Sequence, residues 1–487
     1  MIIRKKTEAA FNVIIIGAGP AGISAAYELC KKGTKKKILM VEAGKQYIQR
    51  FCLNDLQKSC HGCGGICNTI SGFGGCVVYG DGLKISNLPS GQRLRDLYGA
   101  RKLKRLSKKA LQLFNDVVRI PTTFSGSNLP QKVEQVFKLQ NIRIKKYPVS
   151  VVKESHLKRF IKYMYQYLGE RIEILFETEM ISLRREHRKG LFIVTTRSKS
   201  GTSKYFAQKV ILAMGRKGTT CLNKMIKSLN IHTEHNDPSI GVRFEMSSKW
   251  LKKIGNLHPD FKASYTNKEG LKAKSFCFCG GNNGGRLRMA RYYDSFSTPI
   301  VLLDGHITSE RKDKERLLAG NFAVLTKLEN TKRKKNLAKM IDKYMHLFSG
   351  HPIIQPLTSF HNKTQVNEDD DAWIKQLPFK PTLNALKTGS LHLLFEKEQH
   401  AIIIELFKRI MKSILILEKA KMEYNNFEKE VLVAGPEIEF IWSKVSLNSY
   451  GESSCPGLYI IGDAAGYAQG MIQSMIMGIG AAEHANK

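Results

Sequence analysis

No stretch of eighteen or more apolar residues free of charge occurs in the 487-residue chain, so a membrane-spanning helix is not expected. Marks of hydrolytic and nucleotide-hydrolysing chemistry are missing too: there is no H-E-x-x-H zinc motif, no phosphate-loop lysine and no Ser/His/Asp hydrolase signature. The chain has no internal repeat, no heptad array of coiled-coil length and no low-complexity tail, which excludes solenoid and rod-like architectures. Acidic residues are few: 42 Asp and Glu stand against 78 Lys and Arg, a net charge of +36. The basic runs at 31–37, 101–109 and 331–339 are separated by ordinary globular sequence, so solvated faces are the first reading. The second is a polyanionic partner, RNA or an acidic protein, drawn by the basic surface.

A hydrophobic fraction of 42% is enough for one large or two medium domains, each with its own core. The basic-then-apolar beginning imitates a secretion signal, but its apolar run leads directly into a glycine turn and is expected to fold in place. Ten cysteines occur, five of them between 52 and 76. Clustering of this kind in a chain read as lacking a signal suggests metal or redox chemistry in a reducing cytosol.

The run "FNVIIIGAGPAGISAAYELCKKG" reads as strand, turn and helix. Gly17 permits the tight turn, Gly19 lets a pyrophosphate approach the backbone, and Gly22 lets the helix pack on the strand. Pro20 and Ala21 open the helix, whose unpaired N–H groups and dipole favour phosphate. A second strand, "KILMVEAG", ends in Glu42, twenty residues after Gly22 and placed to accept hydrogen bonds from a ribose. An acid there favours an unphosphorylated ribose, as in FAD or NAD.

Near the other end, "GLYIIGDAAGYAQGMIQSMIMGIGAAEHA" reads as an apolar strand, a Gly462-Asp463 turn and a helix of small residues. With the first unit, it resembles FAD-dependent oxidoreductases of the glutathione-reductase-like superfamily. The resemblance implies that Asp463 holds a hydroxyl of the chain linking the isoalloxazine to the phosphates, with Gly462, Gly466 and Gly470 around it. "KVILAMGRKG" is similar to the strand of that superfamily that returns to the flavin domain, which places Ala213 and Gly215 at the cofactor; Met180 would contribute backbone contacts to adenine. Five ordered blocks, "GFGGCVVYGDGLK", "SIGVRFE", "FCFCGGNNGG", "NFAVLTKL" and "GDAAGYAQGM", resemble a narrower group of bacterial and archaeal FAD-dependent dehydrogenases. The chain departs from that group at Cys76-Val77, at Gly80-Asp81-Gly82-Leu83 and at Gly280. The implied fold is α/β, a discontinuous Rossmann-like FAD-binding domain (1–100, 145–230 and 430–487) with an inserted α+β substrate domain (231–429) and a basic helical insertion (101–144). The implied activity is dehydrogenase-type transfer of a hydride or electron pair between FAD and a small-molecule or protein-bound substrate.

Within the first cysteine group, Cys60, Cys63 and Cys67 have C-x2-C-x3-C spacing, with Cys52 or Cys76 as a possible fourth ligand of an iron–sulfur cluster or other soft metal. Thiols without metal and a flavin-facing redox pair are equally open readings, the latter making the protein a cysteine-based relay. Gly74 and Gly75, in "SGFGGC", let the backbone pass the flavin pyrophosphate. Cys277 and Cys279 fall on one face of a predicted strand, where they serve either as a catalytic redox pair or as two small buried residues. Arg286, Arg288 and Arg291 could hold an anionic substrate. No second strand–GxGxxG–helix unit exists, so reduction is expected from the substrate, from transiently bound NAD(P)H or from a protein donor.

Overall fold

In the computed structural model the strand Ala9–Ile16 runs into the helix Pro20–Lys31 through Gly17, which takes a left-handed φ of 102°. Proline at the first helical position fits, because its missing N–H would have no partner there. The structure describes residues 9–31, 36–53, 62–79, 81–88, 90–119, 124–186, 188, 190–234, 237–292, 300–309, 318–327, 333–368, 370–383, 387–421, 423–439 and 444–486. Cys60, Gly80, the expected basic positions 32–35 and 331–332, and Asp369 lie outside the described residues.

The first strand is central in a seven-stranded sheet ordered Glu173–Leu175, Ile38–Val41, Ala9–Ile16, Gly201–Leu212, Leu191–Ser198, Glu179–Glu186, with Leu458–Ile460 also pairing to Gly201–Leu212. Pairings of Ala9–Ile16 with both neighbours are parallel, while the Glu179–Leu212 meander is antiparallel. The twelve-residue strand Gly201–Leu212 serves both parts: 201–207 pairs with the meander and 210–212 with Leu458–Ile460. This is the expected α/β architecture with a Rossmann-like dinucleotide fold. The run "IEILFETEMISLRRE" forms two strands, Glu173–Leu175 and Glu179–Glu186, with Glu177 between them at a left-handed φ of 47°.

A second, largely antiparallel sheet of eight strands is ordered Lys387–Thr388, Ile353–Pro356, Leu432–Glu439, Ser239–Ser247, Ala319–Lys327, Lys272–Cys279, Lys262–Thr266, Arg143–Lys145. Its apolar face is covered by the helix Lys397–Leu417, whose Ile403, Phe407, Ile410 and Ile414 are fully buried. Phe407 stacks on Phe244 at a centroid distance of 3.9 Å, and Phe278, Phe322 and Phe407 continue the stack. The helix is fixed at its start by a capping box between Glu396 and Gln399.

Two expected boundaries differ from the structure. The segment 101–144 is not one insertion: the helix Ala100–Val118 buries Leu103, Leu106, Ala110 and Phe114 in the dinucleotide core, whereas Gln131–Leu139 buries Val133 and Phe137 in the second. Their apolar stripes, not their shared basic character, decide where they pack. Likewise Leu432–Glu439, assigned by sequence to the FAD-binding part, is a fully buried strand of the second sheet. Among the described residues no helix is long and apolar enough to cross a membrane.

Glu245 is fully buried on Ser239–Ser247 and accepts hydrogen bonds from the backbone N–H (3.3 Å) and hydroxyl of Thr382. Burial pushes its carboxyl up to about 7, against the Thr382 hydrogen bonds. Its folded-state value therefore exceeds the unfolded one, so the native protein holds a proton that the unfolded chain has lost, and stability falls as pH rises from about 4.5 to 7. Glu245→Gln is expected to remove this component: in urea unfolding, the variant should gain on the parent through that window, by roughly 3 kcal/mol at pH 8. A difference that does not change with pH would contradict the assignment.

Candidate active site

The cradle begins with the close contact of the first helix and the returning strand. Ala213 N–H donates to Ile16 O at 2.7 Å, and a Cβ on Gly17 would stand 2.4 Å from Ala213 O. A Cβ on Gly22 would stand 1.9 Å from Gly17 O, so Gly22 acts through packing. Gly19 differs: a Cβ there meets nothing within 4 Å and would project into open space. The backbone is thus bare where a pyrophosphate needs to approach.

Glu42 is buried, and its carboxylate gathers three backbone donors: Ala18 N–H at 2.7 Å, Gly44 N–H at 2.8 Å and Gly72 N–H at 2.9 Å. A carboxylate has about four acceptor positions, so most of this one is engaged in holding the glycine turn and the following loop. The loop is pinned from the other side by the buried Arg50, whose guanidinium donates to Asn68 O (2.6 and 3.1 Å) and Phe73 O (2.8 Å). Gly74 N–H then reaches Ala18 O at 2.8 Å, and Gly75 lies over Gly19.

A cavity of about 660 Å³ opens between this cradle and the second sheet. It is lined by Gly17, Gly19, Pro20, Ala21, Glu42, Gly75, Met180, Ala213, Gly215, Gly462, Asp463 and Gly470 among the residues expected at the cofactor. Gly22, Gly74 and Gly466 stand behind the lining, supporting it through the contacts of the first two and a left-handed turn (φ 86°) at the third. The helix Met471–Ala485 presents its first turn to the cavity through Met471 and Ser474.

Arg216 joins the two halves. Its Nε donates to Asp463 Oδ2 at 2.7 Å, and its terminal nitrogens lie 3.0 and 3.1 Å from the carboxylate of Glu439. The buried Glu439 and the partly buried Asp463 share one guanidinium, and burial, reinforced by Asp304 and Asp463, pushes Glu439 up to about 7 despite Arg216. Oδ1 of Asp463 is buried with no hydrogen-bond partner. A buried acceptor left unmatched costs free energy unless a donor arrives, and a ribityl hydroxyl is such a donor. The bare Gly19 and the unmatched Asp463 therefore fit FAD.

The opposite wall is formed by Lys84, Asp260, Cys277, Arg288, Asp304 and His306. Lys84 Nζ lies 3.3 Å from Asp260 and from Cys277 Sγ, 3.7 Å from Cys279 Sγ and 2.8 Å from Phe278 O. Burial opposes its charge, but the two sulfurs and Asp260 outweigh it and hold Lys84 protonated. Asp260 is held well below the usual carboxylate range: Lys262, Lys84 and the Tyr147 hydroxyl, at 2.6 Å, overcome its burial. Burial pushes His306 down to about 4, so it is a neutral imidazole at pH 7. Of the three arginines expected at an anionic substrate, Arg286 pairs with Asp81, Arg291 lies 3.4 Å from His351, and Arg288, itself 3.7 Å from Asp81, lines the cavity.

The metal reading of the first cysteine group finds no support among the described residues. Among the described residues no three His, Cys, Asp or Glu side chains form a group that could hold a metal ion, and Cys60 lies outside them. Cys67 is buried, Cys63 is exposed at a left-handed φ of 52°, and neither they nor Cys52 line the cavity. An iron–sulfur cluster has no support here. Cys76 does face the cavity, and Cys277 and Cys279 come together across from it. Sequence reasoning missed Lys84, Asp260, Arg216 and Glu439, although Lys84 ends the quoted block "GFGGCVVYGDGLK" and Arg216 follows directly on Gly215.

Residues 11–238 match the family model described as pyridine nucleotide-disulphide oxidoreductase. The protein is an FAD-dependent oxidoreductase. Among solved structures the oxidoreductase is similar to a flavoprotein/dehydrogenase from Cytophaga hutchinsonii (11% identity, 98% of this chain and 78% of that one, TM-score 0.38). It is also similar to a glycine oxidase from Bacillus cereus (13% identity, 98% and 94%, TM-score 0.37). A third likeness is to a cyclohexanone monooxygenase from Rhodococcus bound to NADP+ (13% identity, 43% and 26%, TM-score 0.21), of which this chain spans about a quarter. Likeness at these TM-scores bears on neither reaction nor substrate, and no curated relative matches the sequence.

Because Glu42 receives three backbone donors, Glu42→Gln replaces one acceptor oxygen by an NH2 group facing N–H. The oxidoreductase is expected to lose roughly 2–4 kcal/mol of stability and to retain less FAD through purification, read by urea unfolding and by the flavin-to-protein absorbance ratio. Unchanged stability would show that the loop is held elsewhere.

Proposed function

We propose that the oxidoreductase is dehydrogenase-type, passing a hydride or electron pair between FAD and a substrate seated against the second sheet. The observation that carries this reading is the single cavity, with a dinucleotide cradle on one wall and a set of charged and redox-capable side chains on the other. When bound, FAD would supply the electron-accepting chemistry. Gly17, Gly19, Pro20 and Gly75 would face its pyrophosphate, Glu42 its ribose end and Met180 its adenine, with Asp463 at the ribityl chain. The first turn of Met471–Ala485 would place its dipole toward negative charge on the reduced ring.

On the substrate side, Arg288 is buried at the wall, 3.7 Å from the carboxylate of Asp81 and opposite Asp304 on the neighbouring strand, with the neutral His306 lining the same wall. That arrangement suits a substrate with an anionic group and a polar reacting centre. The separation of the walls, bridged by Arg216 through Asp463 and Glu439, keeps the two subsites in fixed relation. A basic surface and reduction by NAD(P)H remain part of this proposal only as the route of electron supply: no second dinucleotide motif is present in the sequence.

The purified full chain is expected to show flavin absorption bands, or to acquire them on adding FAD. Asp463→Ala should weaken FAD binding about ten-fold or more, the loss of one hydrogen bond to a charged group, read by fluorescence titration of the apoprotein. Anaerobic addition of NADH or NADPH then tests the donor by bleaching of the bands. Failure of the chain to bind FAD at all would sink this reading.

A further inference from the structure

Cys277 and Cys279 lie outside the matched segment 11–238, on the strand Lys272–Cys279 of the second sheet. In a regular strand, residues two apart are separated by about 6.6 Å along the chain. Here the pairing with Ala319–Lys327 shifts register between Phe276 and Cys279, and Cys277 takes a left-handed φ of 43°. That conformation is uncommon for a residue with a Cβ, so the surrounding structure must impose it. Its effect is to bring the two sulfurs to 3.9 Å. Cys277 opens to the cavity, whereas Cys279 is fully buried behind it.

We propose that Cys277 and Cys279 are a redox-active dithiol, with Cys277 the attacking sulfur and Cys279 the resolving one, closing reversibly to an intrachain disulfide. Lys84 is built into the pair: its ammonium contacts both sulfurs and is anchored by Asp260, which Tyr147 holds in turn. The buried Arg243 adds a second cation, donating to Cys277 O at 3.3 Å. Asp304 and His306 face Cys277 from the strand Ile300–Ile307, and Gly305 O accepts from its thiol at 3.0 Å. The Cys279 hydrogen bond, against burial and with help from Lys84, brings the Cys277 thiol down, while burial raises Cys279. The two sulfurs are thereby separated into nucleophile and resolving thiol.

With a small disulfide as oxidant, the Cys277 thiolate attacks one of its sulfurs, forming a mixed disulfide and expelling one thiolate. Cys279 then gives up its proton and attacks the Cys277 sulfur, expelling the second thiolate. One dithiol becomes one disulfide, and two electrons and two protons leave as two small thiols. Inside the cavity the same closure would deliver that electron pair and both protons to an oxidised isoalloxazine; only this assignment of the acceptor rests on the flavin reading above.

The test uses the full chain, as purified and after FAD loading. It is equilibrated in reduced and oxidised glutathione at graded ratios, quenched in acid, denatured, alkylated with N-ethylmaleimide and mapped by mass spectrometry. The peptide carrying Cys277 and Cys279 is expected to lose both maleimide adducts together in a single transition, while Cys30, whose thiol burial pushes up to about 11, stays alkylated. Cys279→Ser should trap glutathione on Cys277, and Lys84→Met should slow native-state alkylation of Cys277 about ten-fold at pH 7. Retention of both adducts at every ratio, or glutathione on Cys277 of the parent without closure onto Cys279, would overturn the proposal. The transition is read by mass and the flavin by absorbance. Bands without the transition remove the dithiol alone, and the transition without FAD binding removes the flavin reading alone.

Discussion

Three backbone N–H groups from three separate turns converge on one carboxylate, that of Glu42. The glycine turn after the first strand, the turn after the second and the loop that returns across both are held in register by this residue. Without it, the N–H groups of Ala18, Gly44 and Gly72 would be buried donors lacking a partner, each costing about 1–3 kcal/mol. The cradle is therefore organised from inside, by an acceptor that the sequence marks only as a ribose ligand.

A second buried group sets the distance between the cradle and the wall that faces it. Arg216 lies just past the strand Gly201–Leu212, after Ala213, Met214 and Gly215, yet its guanidinium lies between Asp463 of the final turn and Glu439 of the second sheet. One cation stands between two carboxylates, and burial, with Asp304 and Asp463 adding to it, pushes the Glu439 carboxyl up to about 7. Beyond it, Arg243 links Glu437, Asn321 and the backbone of Cys277. Two buried guanidinium–carboxylate clusters thus stand between the cradle wall and Cys277, anchored by Glu439 and Glu437 of the same strand.

The parts of this architecture that depend on local chain geometry were legible in the sequence. Gly17, Gly19, Gly22, Glu42 and Gly462-Asp463 are recognisable because a tight turn, a bare backbone and a carboxylate each need particular residues at fixed offsets. What the sequence did not disclose depends on pairings between distant segments. Lys84 belongs with the sulfurs of Cys277 and Cys279 only because the strands Gly82–Ser86 and Lys272–Cys279 face one cavity. Alternation along "KSFCFC" suggested a shared face, but not the bulge and left-handed Cys277 that bring the sulfurs together. Spacing also did not disclose that Cys67 is buried while Cys63 is exposed, since a glycine-rich loop lets neighbouring thiols take different environments.

The helix Met471–Ala485 packs along Pro20–Lys31 so closely that Gly478 faces the backbone of Ala21, and Ser24 Oγ donates to Met475 O across 451 positions of sequence. During synthesis the first helix therefore emerges long before the surface that buries it. The cradle it begins stays open on that side until Gly462, Asp463 and the helix after them have left the ribosome. Completion of the cradle is accordingly late relative to its first half, and the nascent chain must keep an apolar helix face covered by other means across those 451 positions.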